Sequence, residues 1–157
     1  NASVAKGTLY YHFKSKEEIF KYIITEGMNL IKENTKIATK KEENSLDKLK
    51  ILCRVQLEMV YQNRDFFKVI MSQLWGQELR QFELRESIKD FIQNIEEYLI
   101  KAKDDGLIIK GDTSFMAYNF FGTICSAAVY ELINNEKDDI DSLIENLMGY
   151  IFKGIKL

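Results

Sequence analysis

The stretch Val4-Ala5-Lys6-Gly7-Thr8-Leu9-Tyr10-Tyr11-His12-Phe13-Lys14-Ser15-Lys16-Glu17-Glu18 decides the reading of this chain. It lies at the N-terminal end, and its charged side chains before Glu17 are all lysines: Lys6, Lys14 and Lys16, with His12 among them. The chain as a whole carries a formal net charge of −2. A basic segment rich in aromatic and hydroxyl groups on a mildly acidic body is the electrostatic footprint of an element that meets nucleic acid. Val4 to Tyr11 can form a short helix, with Leu9 and Phe13 four residues apart on one face. Ser15 followed by Glu18 is a capping box that starts a second, long helix.

The rest of the chain reads as all-α. It has 157 residues, of which 46% are apolar and 29% charged, and no proline interrupts it. That is enough chain for one core with a small appendage, and without proline long helices are favoured. The long helix runs from Ser15 to about Thr39, with Ile19, Ile23, Gly27, Leu30 and Ile37 on one stripe and Phe20, Ile24, Met28 and Ile31 beside it. A charged break follows. Ser45 is expected to cap a third helix whose face carries Leu46, Leu49, Leu52, Cys53, Gln56, Met59 and Val60. Asn63 is expected to cap a short helix to about Leu74, ending at Trp75-Gly76. A longer helix spans about Glu78 to Lys103, with Leu84, Ile88, Phe91, Ile92, Ile95, Tyr98, Leu99 and Ala102 inward and Gly106 as the left-handed terminator.

Thr113 to Tyr130 carries no charge. Its hydroxyls, Asn119 and two tyrosines argue against a membrane span and favour a helix buried on more than one side. Asp139 can cap the last helix, whose apolar stripe is wide. Two consecutive helices with that much apolar surface suggest a helix-pair interface between two copies, a four-helix bundle using Ala117, Gly122, Ala128, Leu132, Ile144, Leu147 and Ile151. The alternative reading buries both helices in one protomer. Cys53 and Cys125 lack metal-ligand spacing and read as reduced core thiols of a cytoplasmic protein. No metal or cofactor is expected. The single histidine and the lack of a nucleophile–base pair or phosphate loop argue against an enzyme.

The quoted stretch resembles the recognition helix and following helix start of the TetR family of transcriptional repressors. The resemblance implies a partial helix-turn-helix DNA-binding domain with its connecting helix over residues 1–38. It implies a ligand-binding and dimerisation domain over 39–157. It also implies that family helices preceding the turn are absent from this stretch of chain. Ser3 stands where glycine is common in the turn, and Ala5 where a capping serine is common, at a cost of about 1 kcal/mol.

By the same resemblance Lys6, Gly7, Thr8 and Tyr10 face the major groove of operator DNA, where early recognition-helix residues meet base edges. Tyr11, His12 and Lys16 would touch phosphates, which position without specifying sequence. Packing against Phe13 is the competing role for Tyr10 and Tyr11. A small-molecule effector, hydrophobic or aromatic, would bind in the body near Met71, Trp75, Phe91, Tyr118, Phe121 and Cys125, unless these are plain core. Trp75-Gly76 is the candidate hinge. The resulting expectation is an effector-responsive homodimeric repressor. The competing expectation is a helical small-molecule-binding dimerisation module that does not bind DNA.

Overall fold

The computed structural model describes residues 13–134 and 139–155. In chain order the helices are α1 (Lys16–Thr39), α2 (Ser45–Gln62), α3 (Arg64–Gln73), α4 (Leu79–Asp104), α5 (Thr113–Asn134) and α6 (Ile140–Ile155). Among the described residues there is no strand. The short recognition helix expected over Val4–Tyr11 lies outside them.

Local chemistry sets most helix ends. The Glu18 amide donates to the Ser15 hydroxyl at 3.1 Å, while the Glu18 carboxylate accepts from the Lys14 amide at 2.7 Å. Both halves of the cap are thus made just after the basic stretch. A Ser15→Ala protein should lose about 1 kcal/mol of stability, read as a shift in the urea midpoint. Gly106 has φ +71°, the left-handed conformation that closes α4. Asp139 caps α6 through its carboxylate, which accepts from the Asp141 amide.

One expected cap is corrected and a second is made by backbone alone. Asn44, not Ser45, caps α2: its side-chain oxygen accepts from Leu46 and Asp47. Ser45 is buried, and its hydroxyl donates to Asp105 Oδ2 at 2.5 Å, tying the start of α2 to the end of α4. Asn63 stands at the N-cap of α3, its carbonyl accepting from the Phe67 amide, but its side chain makes no capping bond and its amide donates back to the Met59 carbonyl.

The core is built where α2 and α4 meet α1, α5 and α6. Leu49, Leu52, Cys53, Leu84, Ile95, Leu99 and Ala102 are closed off there, with Phe120 and Ile124 from α5 and Ile144 and Met148 from α6. α4 packs on α5 along much of its length, and α1 lies across α2 and α4. Arg54 on α2 pairs with Asp141 at the start of α6. α1 is held lightly: only Ile24, Thr35 and Thr39 are buried along its 24 residues. A surface pair, Lys21 to Glu83 at 2.7 Å, adds a link from its first half to α4.

This packing corrects part of the expected partner face. Ala117, Ala128, Ile144 and Leu147 are buried inside the protomer. The small α5 side chains serve close packing on their own neighbours, so they have no area left for a second copy. Gly122 is exposed, and Leu132 and Ile151 are half-buried. The outward stripe of α5 is instead Phe115, Tyr118, Gly122, Val129 and Ile133, with Tyr150 of α6 also exposed. A Cβ on Gly122 would meet nothing within 4 Å. No helix of the described residues is long and apolar enough to cross a membrane.

Candidate functional site

An apolar cavity opens between α1 and the core. It encloses about 100 Å³ of free space within a larger concavity of about 800 Å³. α1 supplies Ile24, Gly27, Met28 and Ile31, on the stripe that helical spacing turns inward. α2 supplies Gln56, Met59, Val60 and Asn63. α3 contributes Phe67, Ile70 and Met71, with Leu74 just beyond it. α4 closes one wall with Ile88 and Phe91, and α5 another with Phe121, Ile124 and Cys125. Phe91 and Phe121 meet edge to face, centroids 6.1 Å apart at 70°.

The lining contains no Lys, Arg, His, Asp or Glu. A charged ligand group would therefore lose its hydration without a counter-ion, which is strongly unfavourable. The site suits an uncharged, mostly hydrocarbon ligand. Cys125 takes part as a neutral thiol: burial raises its pKa from 9.0 to about 11, and burial raises that of the core thiol Cys53 from 9.0 to about 12. The folded chain thus keeps protons that the unfolded chain releases near pH 9. The stability this contributes is present below pH 9 and is lost as pH rises towards 11 and 12. Urea midpoints should fall between pH 8 and pH 10.5, and a Cys53→Ala, Cys125→Ala pair should flatten that fall.

The residues expected at an effector pocket divide. Met71, Phe91, Phe121 and Cys125 line the cavity. Trp75 is 83% exposed and Tyr118 50% exposed, and neither lines it. Trp75 projects from the α3–α4 junction. Tyr118 belongs to the outward stripe of α5, where helical rotation separates it from Phe121. The expected hinge at Trp75-Gly76 is pinned, because Arg85 Nη1 donates to the carbonyls of Leu74 and Gly76 at 2.9 and 2.8 Å.

Gln56 and the α1 residues Ile24, Gly27, Met28 and Ile31 join the lining beyond the residues expected from the sequence. The available signals were an amide within an apolar α2 stripe and a second inward stripe on α1.

Of the expected DNA contacts, Lys6, Gly7, Thr8, Tyr10, Tyr11 and His12 lie outside the described residues. Lys16 is exposed in the first turn of α1. Among the described residues no group of His, Cys, Asp and Glu is placed to hold a metal ion.

Residues 1–23 match the family model of "Bacterial regulatory proteins, tetR family". The chain is 27% identical over 161 residues to the fatty acid metabolism regulator protein of Bacillus subtilis (strain 168), spanning 98% of this chain and 80% of that protein. A solved structure of a candidate fatty acid metabolism regulator from Clostridium perfringens is 42% identical, with a TM-score of 0.88, covering 99% of this chain and 85% of that one. The transcriptional regulator FadR of Bacillus subtilis, solved with stearoyl-CoA, superposes with a TM-score of 0.80 at 22% identity, covering 92% of this chain and 79% of that one. At that identity the likeness is one of fold.

Proposed function

The chain belongs to the tetR family of bacterial regulatory proteins, and from that premise we propose that it is a repressor released from operator DNA by a long-chain acyl thioester. Residues 1–38 form the reading part and its connecting helix, and residues 39–157 the sensing and dimerising part. Thr8 and Tyr10 read bases beside Lys6 and Gly7, while Tyr11, His12 and Lys16 hold phosphates. Two copies bind the two halves of one operator, joined through the outward faces of α5 and α6. The protein acts in the cytoplasm by binding, not by catalysis.

The observation that carries this reading is the composition of the cavity wall. Ile24, Gly27, Met28 and Ile31 belong to α1, the helix that follows directly on the basic stretch. A ligand in the cavity therefore touches the element that sets the position of the reading part. It shifts operator affinity only by the difference between its affinities for the two positions of α1. The uncharged lining selects hydrocarbon. The acyl chain of the stearoyl-CoA held by FadR is hydrocarbon of that kind, whereas its charged CoA part would have to stay outside this lining.

The test is a fluorescence-anisotropy titration of the full-length dimer against DNA selected from a random-sequence pool, with and without stearoyl-CoA. The ligand should weaken DNA binding at least tenfold, and an unchanged affinity overturns the proposal. Thr8→Ala combined with Tyr10→Ala should cost on the order of a hundredfold in affinity, since each base contact contributes about 1–3 kcal/mol. Selection of no sequence at all by the wild type would favour the dimerisation module that does not bind DNA.

A further inference from the structure

The enclosed part of the cavity, about 100 Å³, is smaller than the void of about 150 Å³ that takes up one benzene. A long acyl chain, with several times the carbon of benzene, therefore enters only if a wall gives way. Five lining side chains, Ile24, Gln56, Ile88, Phe91 and Ile124, are buried and form the floor. α3 covers part of the side nearer solvent, through Phe67, Ile70, Met71 and the following Leu74, all half-buried.

α3 is the most lightly held of the described helices. None of its described side chains is buried, and it packs sparingly on α2 and α4. Segments with few buried apolar contacts open at the least cost. Its two ends differ. At the first, one residue joins it to α2: Asn63, with φ −125° and ψ 44°, stands between Gln62 and Arg64. The Asn63 side chain donates to Met59 on α2 and makes no capping bond to α3. A single non-helical residue between two helices can absorb the dihedral change of a hinge. The other end is fastened by side chains of α4. Arg85 Nη1 donates to the carbonyls of Leu74 and Gly76 at 2.9 and 2.8 Å, and Gln81 Nε2 donates to Gln73 Oε1 at 3.2 Å. The Arg85 guanidinium is itself seated over the Phe82 ring, 4.5 Å from its centroid. Neither Arg85 nor Gln81 lines the cavity.

We propose that α3 is the lid of the effector cavity, swinging on Asn63 and latched shut by Arg85. This rests on the cavity being the effector site, and not on which apolar effector fills it. Arg85 is a positioning residue: it holds the lid and does not touch the ligand. It therefore sets the rates of entry and exit and leaves the affinity nearly unchanged.

Stopped-flow fluorescence of Trp75, the single tryptophan of the chain and a neighbour of the latch, follows stearoyl-CoA entering and leaving the full-length dimer. Arg85→Met keeps the stem of the side chain and loses its donors. Association and dissociation should both quicken roughly tenfold, the value of one hydrogen bond to a charged group, with Kd changed by less than about twofold. Arg85→Lys, which offers an ammonium donor to the same carbonyls, should fall between the two. Hydrogen exchange on the ligand-free protein gives an independent reading. The α3 amides should exchange faster than those of α2 and α4, and Arg85→Met should speed them further while α2 and α4 keep their rates. Unchanged kinetics in Arg85→Met, a change confined to Kd, or α3 amides as protected as those of α2 overturn the lid. Failure of the wild type to take up stearoyl-CoA overturns the acyl reading instead, and the exchange comparison then decides the lid alone.

Discussion

A Gly122→Arg protein is expected to sediment as a monomer and to lose operator affinity by more than a hundredfold. Gly122 lies on the exposed stripe of α5, and a Cβ built there meets no neighbouring side chain or packed helix within 4 Å. The substitution therefore spares the core, and the ligand-free protomer should keep its helical circular dichroism. A second copy approaching that stripe would meet a bulky cation among Phe115, Tyr118 and Val129. Burial of an unpaired charge in an apolar contact costs several kcal/mol. A monomer holds one half-site where a dimer holds two, so operator binding falls with the assembly. A dimer that persists in sedimentation equilibrium moves the contact to another face. Ala128→Arg is not an equivalent test, since Ala128 is buried and its substitution should unfold the protomer.

The second large effect is expected at Phe91. Its ring is buried, lies edge to face against Phe121, and walls the cavity. Phe91→Ala removes that contact and enlarges an existing void, for a loss of about 3–5 kcal/mol in urea denaturation. The enlarged site still accepts hydrocarbon. A long-chain ligand bound to the folded form should therefore restore part of the lost stability in proportion to its occupancy. Full loss of stability with no recovery at saturating stearoyl-CoA would separate Phe91 from the ligand site and make it core alone.

The features legible in the sequence are those set by neighbours in the chain. The Ser15 cap, the Gly106 terminator and the Asp139 cap depend on residues within one turn, and they stand where spacing put them. Ser45 does not cap α2 because its hydroxyl is taken by Asp105, 60 residues away; Asn44, one position earlier, caps instead. The inward and outward faces of α5 could not be told apart for a related reason. An uncharged helix has no polar face to mark the solvent side, and only the packing of α4 and α6 turns Ala117 and Ala128 inward. Met71, Phe91, Phe121 and Cys125 line the cavity, while Tyr118, on the same helix as Phe121, turns to the exposed side. Gln56 was visible as an amide inside an apolar stripe, but whether it finds a partner there depends on helices distant in sequence.

The uneven burial of α1 has a mechanical consequence. Thr35 and Thr39 are fixed in the core near its C-terminal end, whereas Ile24 is the one buried residue towards the other. A rod held in this way has its fulcrum near Thr35 and its free arm at Lys16. At about 1.5 Å per residue that arm is roughly 28 Å long. A tilt of about 6° at the fulcrum then carries the tip by about 3 Å, close to the 3.4 Å rise of one base pair along a DNA strand. The cavity presses on the arm between the two points, at Gly27, Met28 and Ile31. A ligand that displaces those residues by about an ångström has its motion enlarged several-fold before it reaches the DNA-reading end.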